Sequence, residues 1–149
     1  MDGLRVADCM TRDPITVDPR TTLPIAYQLM RINNVRRLPV VDEDGRLVGI
    51  VTMGDVREAR PKETEGLSSW ELHLKTASLE VREFMTPNPL TVGPEDSLRT
   101  AARLMLDHKV GGLPVVEDGR VVGIITVSDI LRLLLERLMP PESTAAASP

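Results

Sequence analysis

The feature that most constrains this chain is that it states one pattern twice. Val6 to Glu43 aligns with Val81 to Asp118 at an offset of 75, and 16 of those 38 positions are identical. One residue is lost where Asp42-Glu43-Asp44-Gly45 faces Glu117-Asp118-Gly119. The offset is then 74, with 7 identities in the 12 positions from Gly45 to Val56. Agreement at that level, in ordered blocks, marks an internal duplication, which has to be read before secondary structure is assigned. A chain of 149 residues is then one domain, or two small repeats sharing a core.

Each copy carries the same periodicities. A lead-in at Val6 to Met10 precedes a Pro-bounded strand expected at Ile15 to Val17. Leu23, Ala26, Tyr27 and Met30 recur at helical spacing and predict a helix over about Thr22 to Asn33. Leu38 to Val41 and Leu47 to Val51 flank a Gly-containing acidic turn and read as a hairpin, after which Thr52 opens a last helix. In the second copy the helices are expected near Ser97 to Asp107 and Val127 to Met139. Neither copy alone can bury both faces of so small a sheet. The expected fold is therefore α/β (α+β), two β-α-β-β-α repeats packed with pseudo-two-fold symmetry.

The repeats are expected at 1–58 and 80–139. Between them, 59–79 forms a linker in which Ser68-Ser69-Trp70-Glu71 opens a short helix, with Trp70 and Leu74 anchoring it on the body. The segment 140–149, rich in Pro, Ser and Ala, is expected to be disordered. The last helix carries Ile130, Leu131, Leu133, Leu134, Leu135 and Leu138, more apolar surface than one face holds. With Leu131, Leu134, Leu135 and Leu138 turned to the core, Ile130 and Leu133 are left over. A second burial partner then follows, and a homodimer with this helix at an isologous interface is expected.

The chemistry concentrates where each hairpin ends. Gly49-Ile50-Val51-Thr52-Met53-Gly54-Asp55 returns as Gly123-Ile124-Ile125-Thr126-Val127-Ser128-Asp129. Each is an apolar run breaking into a helix at a Thr with an Asp three residues on. Thr-x-x-Asp is a capping box, which is a structural role. A helix N-terminus also attracts anions through unpaired N–H groups. A carboxylate at the same mouth can accept two hydrogen bonds from a vicinal diol, so the combination suits a ribose-phosphate end. The two roles are compatible, and repetition in matching context favours the second.

Composition removes several alternatives. With 18 basic against 22 acidic residues the net charge is −4, which disfavours general binding to nucleic acid or an anionic membrane. Tyr27, Trp70 and Phe84 are the only aromatics, too few for a base-stacking platform, so an adenine ring would lie between aliphatic side chains. Cys9 is the single cysteine and faces Phe84 across the alignment, an apolar position that argues against a reactive thiol. No intramolecular disulfide can form, which suits a reducing compartment. No leader-like or membrane-spanning run is evident, so a cytoplasmic location is expected. His73 and His108 are the only histidines, and no Ser/His/Asp set or zinc constellation can be assembled. No enzyme activity, no catalytic cofactor and no metal are expected. The acidic turn Asp42-Glu43-Asp44 reads as a solvated hairpin tip.

Met-Thr-x-x-Pro-x-Thr-Val, Leu-Pro-Val-Val and Gly-Ile-x-Thr-x-x-Asp occur in order in both halves. On these elements the chain resembles a tandem CBS motif pair, the regulatory module also called a Bateman domain, over about Val6 to Leu138 apart from the linker. A narrower resemblance, in Arg57-Glu58-Ala59-Arg60-Pro61 and Ser69-Trp70-Glu71-Leu72, is to bacterial acetoin-utilisation-type CBS proteins, without the C-terminal domain those carry. The family resemblance implies adenosine ligands (AMP, ADP, ATP or S-adenosylmethionine) bound in clefts between the repeats. Carried over residue by residue, it implies one site joining Thr11, Ile15, Val35, Arg36 and Arg37 to Ile124, Thr126 and Asp129. The other joins Thr86, Leu90, Val110 and Gly111 to Ile50, Thr52 and Asp55. In the family the Asp holds the ribose hydroxyls, the Thr assists ribose or phosphate, and the strand starts hold the base.

The two expected sites are unequal. Arg36-Arg37 at the first mouth can grip phosphate oxygens, whereas the second has Gly111-Gly112, with only His108 and Lys109 nearby. Tighter binding of a phosphorylated ligand is therefore expected at the Asp129 site. The leading expectation is a regulatory adenine-nucleotide module that changes shape on binding and signals to a partner protein. The alternative is a structural dimerisation module with vestigial clefts, which Gly111-Gly112 fits. Nucleic-acid binding through Arg31, Arg36 and Arg37 is the poorest of the three readings.

Overall fold

The computed structural model describes residues 3–60, 66, 68–139 and 141. The elements run β1 (Thr11–Arg12), α1 (Leu23–Ile32), β2 (Arg37–Val41), β3 (Leu47–Thr52), α2 (Met53–Ala59), α3 (Ser69–Ser78), β4 (Thr86–Pro87), α4 (Leu98–His108), β5 (Gly112–Glu117), β6 (Arg120–Thr126) and α5 (Val127–Arg137). Short 3-10 turns at Val6–Asp8 and Val81–Glu83 precede β1 and β4. This mixed helix and strand fold matches the class expected from the periodicities. The expected tail, 140–149, lies outside the described residues except for Pro141.

The repeats exchange their first strands. The two three-stranded sheets have the orders β1-β6-β5 and β2-β3-β4, so each repeat's lead-in completes the other repeat's sheet. Thr11 pairs with Ile124, and Thr86 with Ile50. The exchange continues upstream: Val6 N donates to Asp96 O at 2.9 Å and Leu98 N to Leu4 O at 3.0 Å. In the other half Val81 N donates to Thr21 O at 2.7 Å and Leu23 N to Leu79 O at 2.8 Å. Val6 and Met10 accordingly belong to the core formed by Leu98, Met105, Leu113, Val115, Ile125 and Leu133. Val81 belongs to the core formed by Leu23, Met30, Leu38, Val40, Val51 and Val56. Full burial of a valine stabilises by roughly 1.5–3 kcal/mol, so these single residues hold the halves together.

The glycine that opens each Gly-Ile block permits the exchange. A Cβ on Gly123 would lie 2.7 Å from Met10 Sδ and 2.9 Å from Thr11 O, and one on Gly49 would lie 3.0 Å from Thr86 O. No side chain fits where the incoming strand crosses. Near the pseudo-two-fold axis the hairpin tips meet, with Arg46 bridged to its counterpart Arg120 and Leu47 N donating to Gly119 O at 3.2 Å.

Three expectations need correction. The strand expected at Ile15 to Val17 is reduced to one parallel bridge between Val17 and Val40. Val17 N donates to Pro39 O and Val41 N to Val17 O. Extending that ladder back to Ile15 would need an N–H on Pro39, which proline lacks. Pro114 imposes the same limit at the Val92–Val115 bridge.

The linker helix forms, capped by Ser68 accepting from Glu71 N, but Trp70 and Leu74 do not anchor it. They are 68% and 50% exposed, and Trp70 stacks on His73 with centroids 6.2 Å apart.

The core-facing stripe of α5 differs from the one expected, of which only Leu134 is half-buried. Leu133 is buried and Ile130 half-buried, while Leu131, Leu135 and Leu138 are 54%, 62% and 53% exposed. Asp129 is turned inward, and that fixes the helix phase: its i+4 neighbour Leu133 goes in with it. An exposed apolar stripe remains, made of Val127, Leu131, Leu135 and Leu138 instead of Ile130 and Leu133.

Candidate functional site

The strand exchange puts residues of opposite repeats against one another at each hairpin end. At the start of α5 the capping box is complete, with Thr126 N donating to Asp129 Oδ2 at 2.9 Å and Asp129 N to Thr126 Oγ1 at 3.2 Å. The second carboxylate oxygen faces outward from the cap. Thr11 Oγ1, from the other repeat, donates to Asp129 Oδ1 at 3.3 Å, and Arg132 Nη1 donates to the same oxygen at 3.2 Å. Asp129 is 6% exposed, the one buried charged side chain among the described residues.

Above this carboxylate opens a cleft of about 530 Å³. All eight residues expected there line it: Thr11, Ile15, Val35, Arg36, Arg37, Ile124, Thr126 and Asp129. Its chemistry is divided. Ile15, Val35 and Ile124 offer aliphatic surface, Thr126 and Asp129 a hydroxyl and a carboxylate, and Arg36 and Arg132 cations. Sequence reasoning missed Asp13, Pro14, Asn33, Asn34, Ser128 and Arg132 on the wall. Arg132 was legible, because an Arg three residues after a helix-capping Asp shares its face.

The other hairpin end repeats the cap. Thr52 N donates to Asp55 Oδ2 at 2.8 Å and Asp55 N to Thr52 Oγ1 at 3.1 Å. Register brings Thr86 beside Ile50, and Leu90 is 40% exposed. Asp55 has fewer partners, since no hydrogen bond joins it to Thr86, and Glu58 stands at the position matching Arg132. Val110 and Gly111 lead into β5, where Gly111 O accepts from Val127 N at 3.0 Å.

Arg37 lines the Asp129 cleft and also reaches the other repeat. Its Nη1 donates to Gly111 O at 3.1 Å, so the guanidinium lies across the other repeat. Cβ atoms on Gly111 and Gly112 would lie 2.8 Å from Arg37 Nη2 and 2.6 Å from Nη1. Burial first, and the like charge of Arg36 second, pull its pKa below the ordinary arginine range. Gly111 and Gly112 are therefore not bare: the guanidinium of Arg37, from the first repeat, lies against both.

Two surrounding groups are accounted for. The Cys9 thiol is pushed up, by burial first and then by the nearby Asp129 charge, which suits its packing against the core. In the acidic turn, Asp42 Oδ1 accepts from Asp44 N at 2.9 Å and Arg46 N at 3.0 Å, so it is committed to the turn. Among the described residues, no group of His, Cys, Asp or Glu is placed to hold a metal, and no helix is long and apolar enough to cross a membrane.

The family model of the CBS domain matches twice, over residues 6–62 and 81–136. The chain is a CBS pair. A CBS domain-containing protein of Dictyostelium discoideum is 38% identical over 147 residues, covering 93% of this chain and 97% of that one. Among solved structures, CBSX2 in complex with AMP is 36% identical, with a TM-score of 0.75 over 90% of this CBS pair and 98% of that chain. The CBS domain pair solved with 5′-methylthioadenosine and S-adenosyl-L-methionine is 32% identical, with a TM-score of 0.74 over 89% of this CBS pair and 97% of that chain. The narrower resemblance is matched by an acetoin utilization protein from Vibrio cholerae, at 34% identity and a TM-score of 0.74 over 93% of this chain and 98% of that one. Enzymes among the relatives are matched over less than a quarter of their own length, 23% for an inosine-5′-monophosphate dehydrogenase of Korarchaeum cryptofilum. The CBS pair is accordingly a ligand-binding regulatory module by family.

Proposed function

We propose that this CBS pair binds an adenosine ligand, AMP or a relative of it, in the Asp129 cleft, and that binding is read by a partner protein. One observation carries the reading: a nearly buried carboxylate of one repeat faces a threonine of the other across a cleft with aliphatic walls and a cationic mouth. The ribose diol would take over Asp129 Oδ1 from Thr11, the adenine would lie among Ile15, Val35 and Ile124, and the phosphate would meet Arg36 and Arg132. The Asp55 cleft, formed by Ile50, Thr52, Thr86, Leu90, Val110 and Gly111, is the second site. It is the weaker one for phosphorylated ligands, because Glu58 replaces Arg132. The CBS pairs solved with AMP and with S-adenosyl-L-methionine support the ligand class.

A signal requires the ligand to favour one arrangement over another. A cleft built from both repeats meets that condition, since filling it draws β1 and α5 together. The exposed stripe Val127, Leu131, Leu135 and Leu138 gives the pair a second burial partner, and we assign that role to a second copy of the chain. A single cysteine suits the cytoplasm. The repeat boundaries near 58 and 80 follow from the duplication. The vestigial-cleft alternative loses its main support, because Gly111-Gly112 has another physical cause in the seating of Arg37.

A thermal-shift screen with AMP, ATP and S-adenosylmethionine tests the reading. A ligand at about 100 times its dissociation constant adds roughly 2.7 kcal/mol, so the melting point rises by several degrees. No rise with any of the three leaves only the scaffold.

A further inference from the structure

One cation touches residues assigned to both clefts. Arg37 lines the Asp129 cleft, yet its guanidinium rests on Gly111 and Gly112, and Gly111 is among the residues proposed for the Asp55 cleft. By the repeat alignment Gly112 is the counterpart of Arg37 and Gly111 of Arg36. Side chains at both counterpart positions would occupy one space, since even a Cβ at 112 comes within 2.6 Å of Arg37 Nη1 and 2.8 Å of its Cδ. An arginine on both sides of the pseudo-two-fold axis would add like charge to that collision. The glycine pair is thus the seat of Arg37, and the molecule holds one such guanidinium where symmetry would supply two.

We propose that Arg37 couples the clefts negatively: a phosphorylated ligand in the Asp129 cleft draws Arg37 from its seat on Gly111, and the Asp55 cleft then binds a second phosphate without it. The proposal rests on the reading of both clefts as adenosine-ligand sites. A guanidinium can direct its planar fork of donors to one phosphate group at full strength, not to two on opposite sides. Withdrawal of a charge-assisted hydrogen bond weakens a site by on the order of 10- to 150-fold. Arg36 and Arg132 stay in the Asp129 cleft throughout, so that cleft fills first. Adenosine, which has no phosphate, does not compete for Arg37 and fills the clefts independently.

The test is titration calorimetry with AMP on the full chain. In Asp129→Ala the first cleft is disabled, and the remaining Asp55 cleft should bind AMP about 10- to 150-fold more tightly than the second binding step of the unaltered protein. With Arg37→Met in both backgrounds that difference should vanish. Gly112→Ala is the second variant, because it unseats the guanidinium without removing its charge and should abolish the difference too. Adenosine in place of AMP should show none in any protein. An Asp55 cleft whose AMP affinity is the same with the first cleft working or disabled would overturn the coupling while leaving two ligand sites standing. An absence of AMP binding to every variant, the unaltered protein included, would instead overturn the reading of the clefts, and the coupling with it.

Discussion

Alanine at Gly123 attacks the strand exchange on which the site depends. Its Cβ would sit 2.9 Å from the backbone oxygen of Thr11 and 2.7 Å from Met10 Sδ. Methionine can rotate away, but a backbone oxygen held in the β1–β6 ladder cannot move without taking its strand along. Overpacking of this kind costs about 1–3 kcal/mol. At about 2–4 °C per kcal/mol for a chain of this length, the melting point should fall by about 2–12 °C. The displaced β1 also carries Thr11 away from Asp129, so AMP affinity should fall with stability. Gly54→Ala is the matched control. Its Cβ meets only Thr52 Oγ1 at 3.6 Å, within α2, where alanine is the better helix former by about 0.5–1 kcal/mol. Scanning calorimetry with and without AMP compares the two. A Gly123→Ala protein as stable as the original and binding AMP equally well would refute the exchanged-strand geometry.

Other outcomes follow from single groups. Ser97 caps α4 by accepting from Thr100 N, whereas Thr22 makes no side-chain cap on α1. Urea denaturation should therefore show Ser97→Ala costing about 1 kcal/mol and Thr22→Ala much less, and equal losses would contradict the caps. Leu135→Glu places a charge in the exposed stripe of α5 and should shift the protein to monomer in sedimentation velocity with AMP affinity retained. An unchanged oligomeric state would remove that stripe from the interface. Because its pKa is raised, Cys9 holds less thiolate than a free cysteine at any pH below its own pKa. Alkylation by iodoacetamide at pH 7 should be slower than for a free thiol and should rise toward the free rate on unfolding. A rate equal to the free thiol in the folded protein would contradict its burial.

Much of this architecture is written in the sequence because duplication checks itself. Leu38-Pro39-Val40-Val41 and Gly49-Ile50 recur as Leu113-Pro114-Val115-Val116 and Gly123-Ile124. Each hairpin and each helix start thus has two independent statements. The eight residues of the Asp129 cleft converge for the same reason. Less legible in the residues themselves was which half a segment joins, which only the family resemblance implied by setting Thr11 beside Asp129. Nothing in Met10-Thr11 says that β1 pairs with the far hairpin, although the glycine opposite it is the physical requirement for that crossing.

The phase of α5 was lost because apolar residues surround the helix, so periodicity alone has no preferred face. The duplicated helix did contain the answer: Arg57 and Glu58 of α2 are exposed, and their counterparts are Leu131 and Arg132. Trp70 looked like an anchor because large aromatics usually bury, but α3 buries no side chain. The seating of Arg37 was invisible, because a glycine pair reads as a missing charge until the charge is seen to arrive from elsewhere.

The most direct measurement of the central claim is AMP affinity by calorimetry for the original protein and for Asp129→Asn, which keeps the side chain's shape and removes its charge. Loss of the charged acceptor for the ribose diol should weaken the tight site by on the order of 10- to 150-fold. An Asp129→Asn protein that binds AMP as tightly as the original would show that this carboxylate serves only as a helix cap.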